Sequence, residues 1–205
     1  VMMPKKDGFE LCKELKMNII TSHVPIIILT ARTAAVYEIE GLQNGADAYV
    51  TKPFNPNIIK VRIKSILETR KKVRQHYQNK IQFGPNVNNE DVENSADNEF
   101  VTKLISFVEE NLYNTDFGID DLKNELFMSQ STLYRKLKSL TGFSPTAFIR
   151  SVRLKKAAEL ILTNNHKLNY VALEVGFNDY KYFMKSFQNQ FNCLPSEYKK
   201  SLKDL

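Results

Sequence analysis

Few residues of this 205-residue chain are of the kinds that carry metal or thiol chemistry. Its two cysteines, Cys12 and Cys193, lie far apart and lack the short spacing of metal ligands, which favours reduced thiols over a disulfide. The three histidines, His23, His76 and His166, are scattered and form no HExxH motif or Cys-His cluster. The sequence therefore predicts no metal site and no catalytic residue.

The chain also lacks a long apolar run and a large excess of charge. Its longest apolar run, residues 24–29, is far shorter than the ~20 residues that a membrane-spanning helix needs. The net charge of +6 permits nucleic-acid binding without establishing it. Residues 1–70 hold 10 basic and 7 acidic groups and residues 99–205 hold 15 and 12, so any such function depends on where the charges point.

A polar segment divides the chain in two. Residues 82–98, QFGPNVNNEDVENSADN, contain a Gly-Pro pair and almost nothing to bury, which is typical of a flexible linker. The basic stretch before it, ETRKKVRQHYQ, is either a solvated helix end or a helical dimer contact. We therefore predict a first domain at 1–70, a helical extension and linker at 71–98, and a second domain at 99–205.

Residues 1–70 alternate between helix and strand patterns. VPIIILTA (24–31) and DAYVTKP (47–53) are short runs typical of buried strands. Helical patterns precede, separate and follow them, and the last one begins at Pro56. The alternation predicts an α/β domain with a parallel sheet.

Residues 99–205 are predicted to be wholly helical and internally duplicated. DDLKNELFMSQSTLYRKLKSLTGFSP and NYVALEVGFNDYKYFMKSFQNQFNCLP each describe a short helix, a tight turn and a longer helix, then an aromatic residue, a turn and a proline. This is a repeated helix-turn-helix unit. A helix that begins at Ser144-Pro145 and runs to about Leu162 is predicted to join the two units.

The longer helix of each unit has an apolar back and a polar front. An apolar stripe holds such a helix in the fold, while hydrogen-bonding and cationic groups outside it can face a DNA major groove. The stripe residues are Leu133, Leu137 and Leu140 in the first unit and Phe183, Phe187 and Phe191 in the second.

The motifs VMMPKKDGFELC, ILTA and GADAYVTKPF occur in the order and spacing of response-regulator receiver domains, which residues 1–70 resemble. In receivers the phosphoaccepting aspartate stands four residues before the proline of the first motif, so the resemblance implies that it comes just before Val1. The first strands and helices and the acidic pair that binds Mg²⁺ would be absent as well. We therefore expect no cofactor in this chain, and Mg²⁺ in the intact receiver only.

The same resemblance assigns three residues to a phosphorylation switch. Thr30 matches the hydroxyl that moves to the phosphoryl group, Lys52 matches the lysine that pairs with phosphate oxygens, and Tyr49 matches the aromatic residue whose rotation reports phosphorylation. The partial domain would leave a sheet edge unpaired and an apolar face uncovered. We expect either a proteolytic remnant, a missing half outside the chain, or a second copy that covers the edge.

Residues 99–205 resemble the DNA-binding domain of the AraC/XylS family over STLYRKLKSLTGFSPTAFIRSVRLKKAAELIL and VALEVGFNDYKYFMKSFQNQFNCLPSEYKK. The resemblance implies base-facing residues at Ser131, Tyr134, Arg135, Tyr180, Lys181 and Lys185. Arg135 is expected to make a bidentate contact to guanine, and Lys136 and Lys138 are expected to contact phosphate. The chain departs from the family at Asn192-Cys193, where glycine is usual, and at Lys199-Lys200, where arginine is common.

Together the two resemblances imply a phosphorylation-controlled transcription regulator. Its expected partners are double-stranded DNA, a second copy of the chain and a phosphodonor histidine kinase domain. The order of domains also resembles the C-terminal end of hybrid two-component regulators, which are membrane-anchored and often serve polysaccharide utilisation; a free-standing regulator is the alternative. No enzymatic activity is expected of these residues, although a kinase region could lie upstream. Location is expected in the cytoplasm, with an inner-membrane anchor in the hybrid case.

Three other functions stay open on the sequence. A DNA-repair methyl acceptor needs a reactive cysteine, and neither cysteine has an activating cluster near it in sequence. A small-molecule-sensing AraC regulator would carry a β-rich binding domain, which residues 1–70 do not resemble. A protein-interaction module without DNA activity would show no sequence preference in a binding assay.

Overall fold

The computed structural model describes residues 6–83, 95–163 and 166–201, which form two compact units. Of these residues, 6–75 and 95–100 belong to the first unit and 76–83 and 101–201 to the second. The opening motif at Val1–Pro4 and positions 84–94 of the predicted linker lie outside the described residues.

The first unit combines helices with a two-stranded parallel sheet, as the alternating pattern predicts. Its elements in chain order are α1 (Gly8–Met17), β1 (Ile27–Thr30), α2 (Ala35–Gln43), β2 (Ala48–Thr51) and α3 (Pro56–Phe83), of which the last two turns belong to the second unit. Ile27 pairs with Ala48 and Thr30 with Thr51 in the sheet. The α/β fold class with a parallel sheet is therefore confirmed.

The interior of the first unit is small and is organised around one carboxylate. Its apolar cluster contains the buried Phe9, Cys12, Ile28, Ala46 and Tyr49. The side chain of Asp47 accepts hydrogen bonds from the backbone N–H of Ile26 (2.8 Å), from Lys16 Nζ (2.6 Å) and from Arg70 (3.3 Å). Because these donors come from α1, α3 and the residue before β1, this charge-assisted network ties together the elements around the sheet.

The first unit also leaves much apolar surface on α3 in contact with solvent. Val61, Ile63 and Leu67 are 66%, 43% and 61% exposed. An uncovered apolar face was expected from the sequence, and the structure shows it on this helix. Side chains of this kind are normally buried in a domain core or at an interface.

The second unit is helical throughout the residues that the structure describes. In addition to the end of α3 it contains α4 (Ser95–Glu110, from Val101 onward), α5 (Ile119–Glu125), α6 (Gln130–Thr141), α7 (Pro145–Thr163), α8 (Leu168–Glu174), α9 (Tyr180–Phe191) and α10 (Tyr198–Ser201). The helical prediction and the repeated helix-turn-helix plan are confirmed, with α5 and α6 forming the first helix-turn-helix and α8 and α9 the second.

Helix α7 is the predicted helix that joins the two helix-turn-helix units. The Ser144 side chain accepts a hydrogen bond from the backbone N–H of Ala147 at 3.3 Å, and Pro145 occupies the first position of the helix. The helix contacts α6, α8, α9 and α10. Its buried Phe148 and Val152 have no exposed surface, so α7 is part of the core of this unit.

The end of α3 packs into the second unit. Tyr77 is 1% exposed and Ile81 is fully buried, and the Phe83 ring lies 5.8 Å from that of Phe191, edge to face. Lys80 Nζ donates a hydrogen bond to Thr102 Oγ1 at 2.9 Å. The stretch predicted as a helical extension is thus helical, and its end is more than a solvated terminus. The domain limits at 70/71 and 98/99 stay predictions.

Candidate nucleic-acid interface

The first recognition helix, α6, is fixed at both ends by local hydrogen bonds. Ser129 is its N-cap and accepts a hydrogen bond from the backbone N–H of Thr132 at 3.2 Å. Gly142 ends it in the left-handed conformation, at φ 77°. Leu133, Leu137 and Leu140 are at most 2% exposed, so the predicted apolar stripe is the buried face of α6.

The exposed face of α6 carries four of the predicted DNA contacts. These residues are Ser131, Tyr134, Arg135 and Lys138. The Arg135 side chain is held along the helix by a hydrogen bond from Nε to the Ser131 carbonyl at 3.3 Å. Lys138 Nζ donates to the Gly142 carbonyl at 2.6 Å, at the C-terminal end of the helix. Hydrogen-bonding and cationic groups therefore share one solvent-facing surface, as readout of a major groove requires.

Lys136 does not belong to that surface. Its side chain is 0% exposed, although the sequence places it outside the leucine stripe and predicts a phosphate contact. A side chain without solvent-accessible surface cannot reach a DNA phosphate in this conformation. The prediction for Lys136 is therefore wrong, because the buried band of α6 is wider than three leucines at helical spacing.

The second recognition helix, α9, repeats this arrangement with aromatic residues in its core. Asp179 is the N-cap and accepts hydrogen bonds from the backbone N–H groups of Lys181 (2.7 Å) and Tyr182 (3.1 Å). Phe183 and Phe187 have no exposed surface, and Phe191 packs against the same cluster. The predicted base-facing residues Tyr180, Lys181 and Lys185 are all exposed.

Two further polar residues at α9 were not predicted: Arg150, which lies beside the helix, and Tyr182, which belongs to it. Arg150 of α7 donates a hydrogen bond through its terminal nitrogen to the Tyr182 hydroxyl at 2.9 Å. Both residues line a recess of about 260 Å³ that also contains Lys185. Arg150 could have been found in sequence as a cation on the predicted joining helix, whereas its contact with Tyr182 depends on how α7 and α9 pack.

Two of the three predicted switch residues lie at the C-terminal ends of the strands of the first unit: Thr30 ends β1 and Lys52 follows β2. The third, Tyr49, lies within β2. Thr30 is buried, and its hydroxyl accepts a hydrogen bond from the backbone N–H of Arg32 at 3.1 Å. Tyr49 is also buried, and its hydroxyl donates to the Arg32 carbonyl at 2.9 Å. The Lys52 side chain is exposed, while its backbone N–H donates to the Thr30 carbonyl at 2.6 Å. Ligands of parallel α/β sheets bind at this edge.

Arg32, which sequence reasoning did not single out, lies among these groups. Its guanidinium carbon is 4.8 Å from the centre of the Tyr37 ring and 5.9 Å from that of Phe9. One terminal nitrogen lies 3.8 Å from an Asp7 carboxylate oxygen. The backbone of Arg32 thus connects Thr30 to Tyr49, and its side chain reaches the loop before α1.

The surroundings of Cys12 do not fit a reactive thiol. The side chain is 1% exposed, and burial raises the pKa of its thiol, with a smaller opposing effect from Lys16. A buried cysteine with a raised pKa is a poor nucleophile. Cys12 therefore gives no support to a methyl-acceptor function.

Neither a metal cluster nor a membrane span is found in the described ranges. No three His, Cys, Asp or Glu side chains among residues 6–83, 95–163 and 166–201 are grouped so as to hold a metal ion. None of the helices in the same ranges is long and apolar enough to cross a membrane.

Comparison with protein families gives a match for each unit. Residues 1–64 match the model of the response regulator receiver domain, and residues 122–201 match that of a helix-turn-helix domain. A protein of Formosa agariphila named histidine kinase P4 is 40% identical over 198 residues, which are 97% of this chain and 14% of that protein. A probable transcriptional regulator, ycf27, of Porphyra purpurea is 48% identical over 73 residues, 36% of this chain and 29% of that protein.

Among solved structures, an AraC-type transcriptional regulator from Chromobacterium violaceum aligns with 53% of this chain and 96% of its own, at 24% identity and a TM-score of 0.48. The chain spans less than a third of the length of the two curated relatives.

Proposed function

We propose that this chain, which carries a response regulator receiver domain followed by an AraC-type helix-turn-helix domain, is the output end of a two-component system and regulates transcription by sequence-specific DNA binding. In this function its residues act by binding rather than by enzymatic catalysis. Because its partner is DNA, we propose that it works in the cytoplasm.

The observation that carries this proposal is that the two recognition helices are divided in the same way into a buried and an exposed face. Each helix buries an apolar stripe and exposes polar and cationic residues, which include Arg135 on α6 and Lys185 on α9. Both helices contact α7, so they belong to one packed unit. Two helices held in this way can enter successive major grooves, about 34 Å apart on one face of DNA.

Selection of binding sites from a random DNA pool tests the proposal. We expect a selected site with two elements about one helical turn apart. Arg135→Ala should relax one element and Lys185→Ala the other, each at a cost of about 1–3 kcal/mol. Binding that depends on salt but shows no sequence preference would contradict base readout by this domain and would favour a module that acts through other partners.

The salt dependence of binding separates phosphate contacts from base contacts. Lys138→Gln should reduce the slope of log K against log salt by about 1, because one phosphate contact is lost. Lys136→Gln should leave the slope unchanged, because the side chain is buried. Circular dichroism of both variants shows whether each retains its helices. A reduced slope for Lys136→Gln in a folded protein would restore the original assignment of this residue.

For the first unit we propose that Thr30, Lys52 and Tyr49 respond to phosphorylation of the intact receiver by a histidine kinase domain. Thr30 and Lys52 lie at the C-terminal ends of the strands and the Tyr49 hydroxyl bonds to the Arg32 carbonyl just beyond β1, which supports this role. The buried Tyr49 ring is then one of the two positions between which this side chain rotates. In the intact receiver, phosphorylation should move the Tyr49 hydroxyl away from the Arg32 carbonyl. Tyr49→Phe should then alter the effect of phosphorylation on DNA affinity, while Tyr113→Phe, at an exposed site of the second unit, should not.

We further propose that the parent protein is a hybrid of sensor, kinase and regulator and that it works as a dimer. The match over nearly the whole chain to a much longer protein named a histidine kinase supports the hybrid form. An antibody against this chain should detect a large protein in the membrane fraction of the source cells; a small protein in the soluble fraction would instead indicate a free-standing regulator. Control of polysaccharide utilisation is proposed from the domain order alone and predicts selected sites upstream of polysaccharide-degrading genes.

A further inference from the structure

A cavity lies in the helical unit between α7 and the turn of the second helix-turn-helix. Its volume is about 300 Å³, at the lower end of the range for small-molecule sites. Phe117, Ile119, Ile149 and Phe177 form apolar walls, and Arg150 and Arg153 of α7 supply cationic groups. The cavity is distinct from the exposed faces of α6 and α9 that carry the predicted base contacts.

Arg153 is the unusual member of this lining. The residue is only 8% exposed. Its terminal nitrogens donate hydrogen bonds to two backbone carbonyls, Gly176 at 3.0 Å and Asn114 at 2.6 Å. Its Nε has no hydrogen-bond partner within the part of the chain that the structure describes, and no ion pair joins Arg153 to a carboxylate there. Burial lowers the pKa of the guanidinium, which indicates that the environment disfavours its charge.

A buried cation that is paired only with neutral carbonyls is energetically unfavourable, and a nearby anion relieves the cost. Asp179, the carboxylate on the cavity wall, already accepts two backbone hydrogen bonds as the N-cap of α9. Two guanidinium groups against one carboxylate leave the lining with a net positive charge. An anionic group with an apolar body would complement both the charge and the walls.

We propose that this cavity is a binding site for a small organic carboxylate, whose carboxylate pairs with Arg153 and whose apolar body, an aromatic ring or a short branched chain, packs on Phe117, Ile149 and Phe177. The site is built entirely from the helical unit. Its lining includes the turn that precedes α9 and Tyr182 within α9, so the site lies beside the second recognition helix.

Binding of benzoate to the 205-residue chain tests the site, with benzamide as a neutral probe of the same shape. Ligand-observed NMR titration should show benzoate binding about tenfold or more tightly than benzamide, because only benzoate supplies a charge for the guanidinium. Equal binding of the two probes would overturn the assignment of Arg153, and no saturable binding of benzoate would overturn the site.

A variant that fills the cavity mouth locates the binding. Thr146 is exposed and lines the cavity, so Thr146→Trp should preserve the fold and reduce benzoate affinity about tenfold or more by occupying the space. Thr163→Trp, at an exposed position on the same helix that does not line the cavity, is the matched control and should bind benzoate like the unmodified chain. Unchanged binding by Thr146→Trp, or equal losses in both variants, would contradict the proposed location.

Discussion

In both helix-turn-helix motifs the second residue after the first helix has a positive φ, but the residue differs and so do its surroundings. In the first helix-turn-helix this residue is Phe127, at φ 52°, and its side chain is 96% exposed. In the second helix-turn-helix it is Gly176, at φ 81°, where a Cβ atom would collide with the carbonyl oxygen of Leu112 and approach Arg153 Cζ to 2.8 Å. The positive φ at this position is therefore common to the duplication, whereas glycine is required only where the turn is packed.

The buried faces of the two recognition helices also differ, with leucines in α6 and larger aromatic residues in α9. Phe183 and Phe187 of α9 occupy the positions that Leu133 and Leu137 occupy in α6, and all four have no exposed surface. The Phe187 ring lies 4.5 Å from that of Phe191 and 5.3 Å from that of Tyr198. The end of α9 also contacts Phe83 of α3. Helix α9 is thus held by an aromatic cluster in addition to its contact with α7.

The largest effect should come from removing one core residue of each recognition helix. Phe187→Ala should lower the free energy of unfolding by about 3–5 kcal/mol and Leu137→Ala by about 2–5 kcal/mol, because each leaves a cavity. Phe187→Ala also removes aromatic pairs worth about 0.5–1.5 kcal/mol each. Urea denaturation of both variants measures the difference. Equal losses would show that the aromatic cluster adds nothing beyond buried area.

Substitutions at the two turns should change the free energy of unfolding in opposite directions. Gly176→Ala should cost about 2–5 kcal/mol, combining about 1–2 kcal/mol for a left-handed conformation and about 1–3 kcal/mol for overpacking. Phe127→Gly should instead raise stability by up to about 1 kcal/mol, because relief of the strained conformation exceeds the added freedom of the unfolded chain. Thermal unfolding of the two variants tests this, and a tolerated Gly176→Ala would show that the second turn can move away from Leu112.

Sequence reasoning succeeded where a property depends on spacing along one helix. The apolar stripes identified the buried faces of α6 and α9, and the duplicated pattern identified the order of the helices. The burial of Lys136 could also have been predicted from the sequence by comparing the two repeats. Lys136 directly precedes Leu137 as Ser186 directly precedes Phe187, and both are buried. Comparing the two repeats would have assigned this position to the interior, since a serine there contributes no cation to a DNA-facing surface.

Other features could not be obtained from spacing because they depend on contacts distant in sequence. The unpaired Nε of Arg153 results from packing α7 against the second turn, and Arg153 reads in sequence as one more cation among several. The burial of Tyr77 and Ile81 likewise depends on contacts of the end of α3 with the helical unit. Tertiary contacts of this kind override the polar composition around them.

A smaller difference in stability is expected from the N-caps of α6 and α9. Asp179→Ala removes the acceptor of two backbone N–H groups and a negative charge at the start of α9, whereas Ser129→Ala removes the acceptor for one N–H of α6. Both should lower the free energy of unfolding by about 0.5–2 kcal/mol, with the larger loss at Asp179. Asp179→Asn keeps the acceptor without the charge. If Asp179→Asn loses as much as Asp179→Ala, the charge rather than the hydrogen bonds dominates the cap.

The smallest contrast concerns the C-terminal ends of the recognition helices. Both end with a left-handed residue, Gly142 at φ 77° and Asn192 at φ 57°. Asparagine tolerates this conformation better than other non-glycine residues but not as well as glycine. Asn192→Gly should therefore raise stability by less than about 1 kcal/mol, and Gly142→Asn should lower it by a similar amount. Opposite shifts of the urea midpoint at constant slope would show that conformational preference at the helix end is the cause. A loss of stability in both variants would instead mean that the Asn192 side chain stabilises the end of α9 in a way that glycine cannot replace.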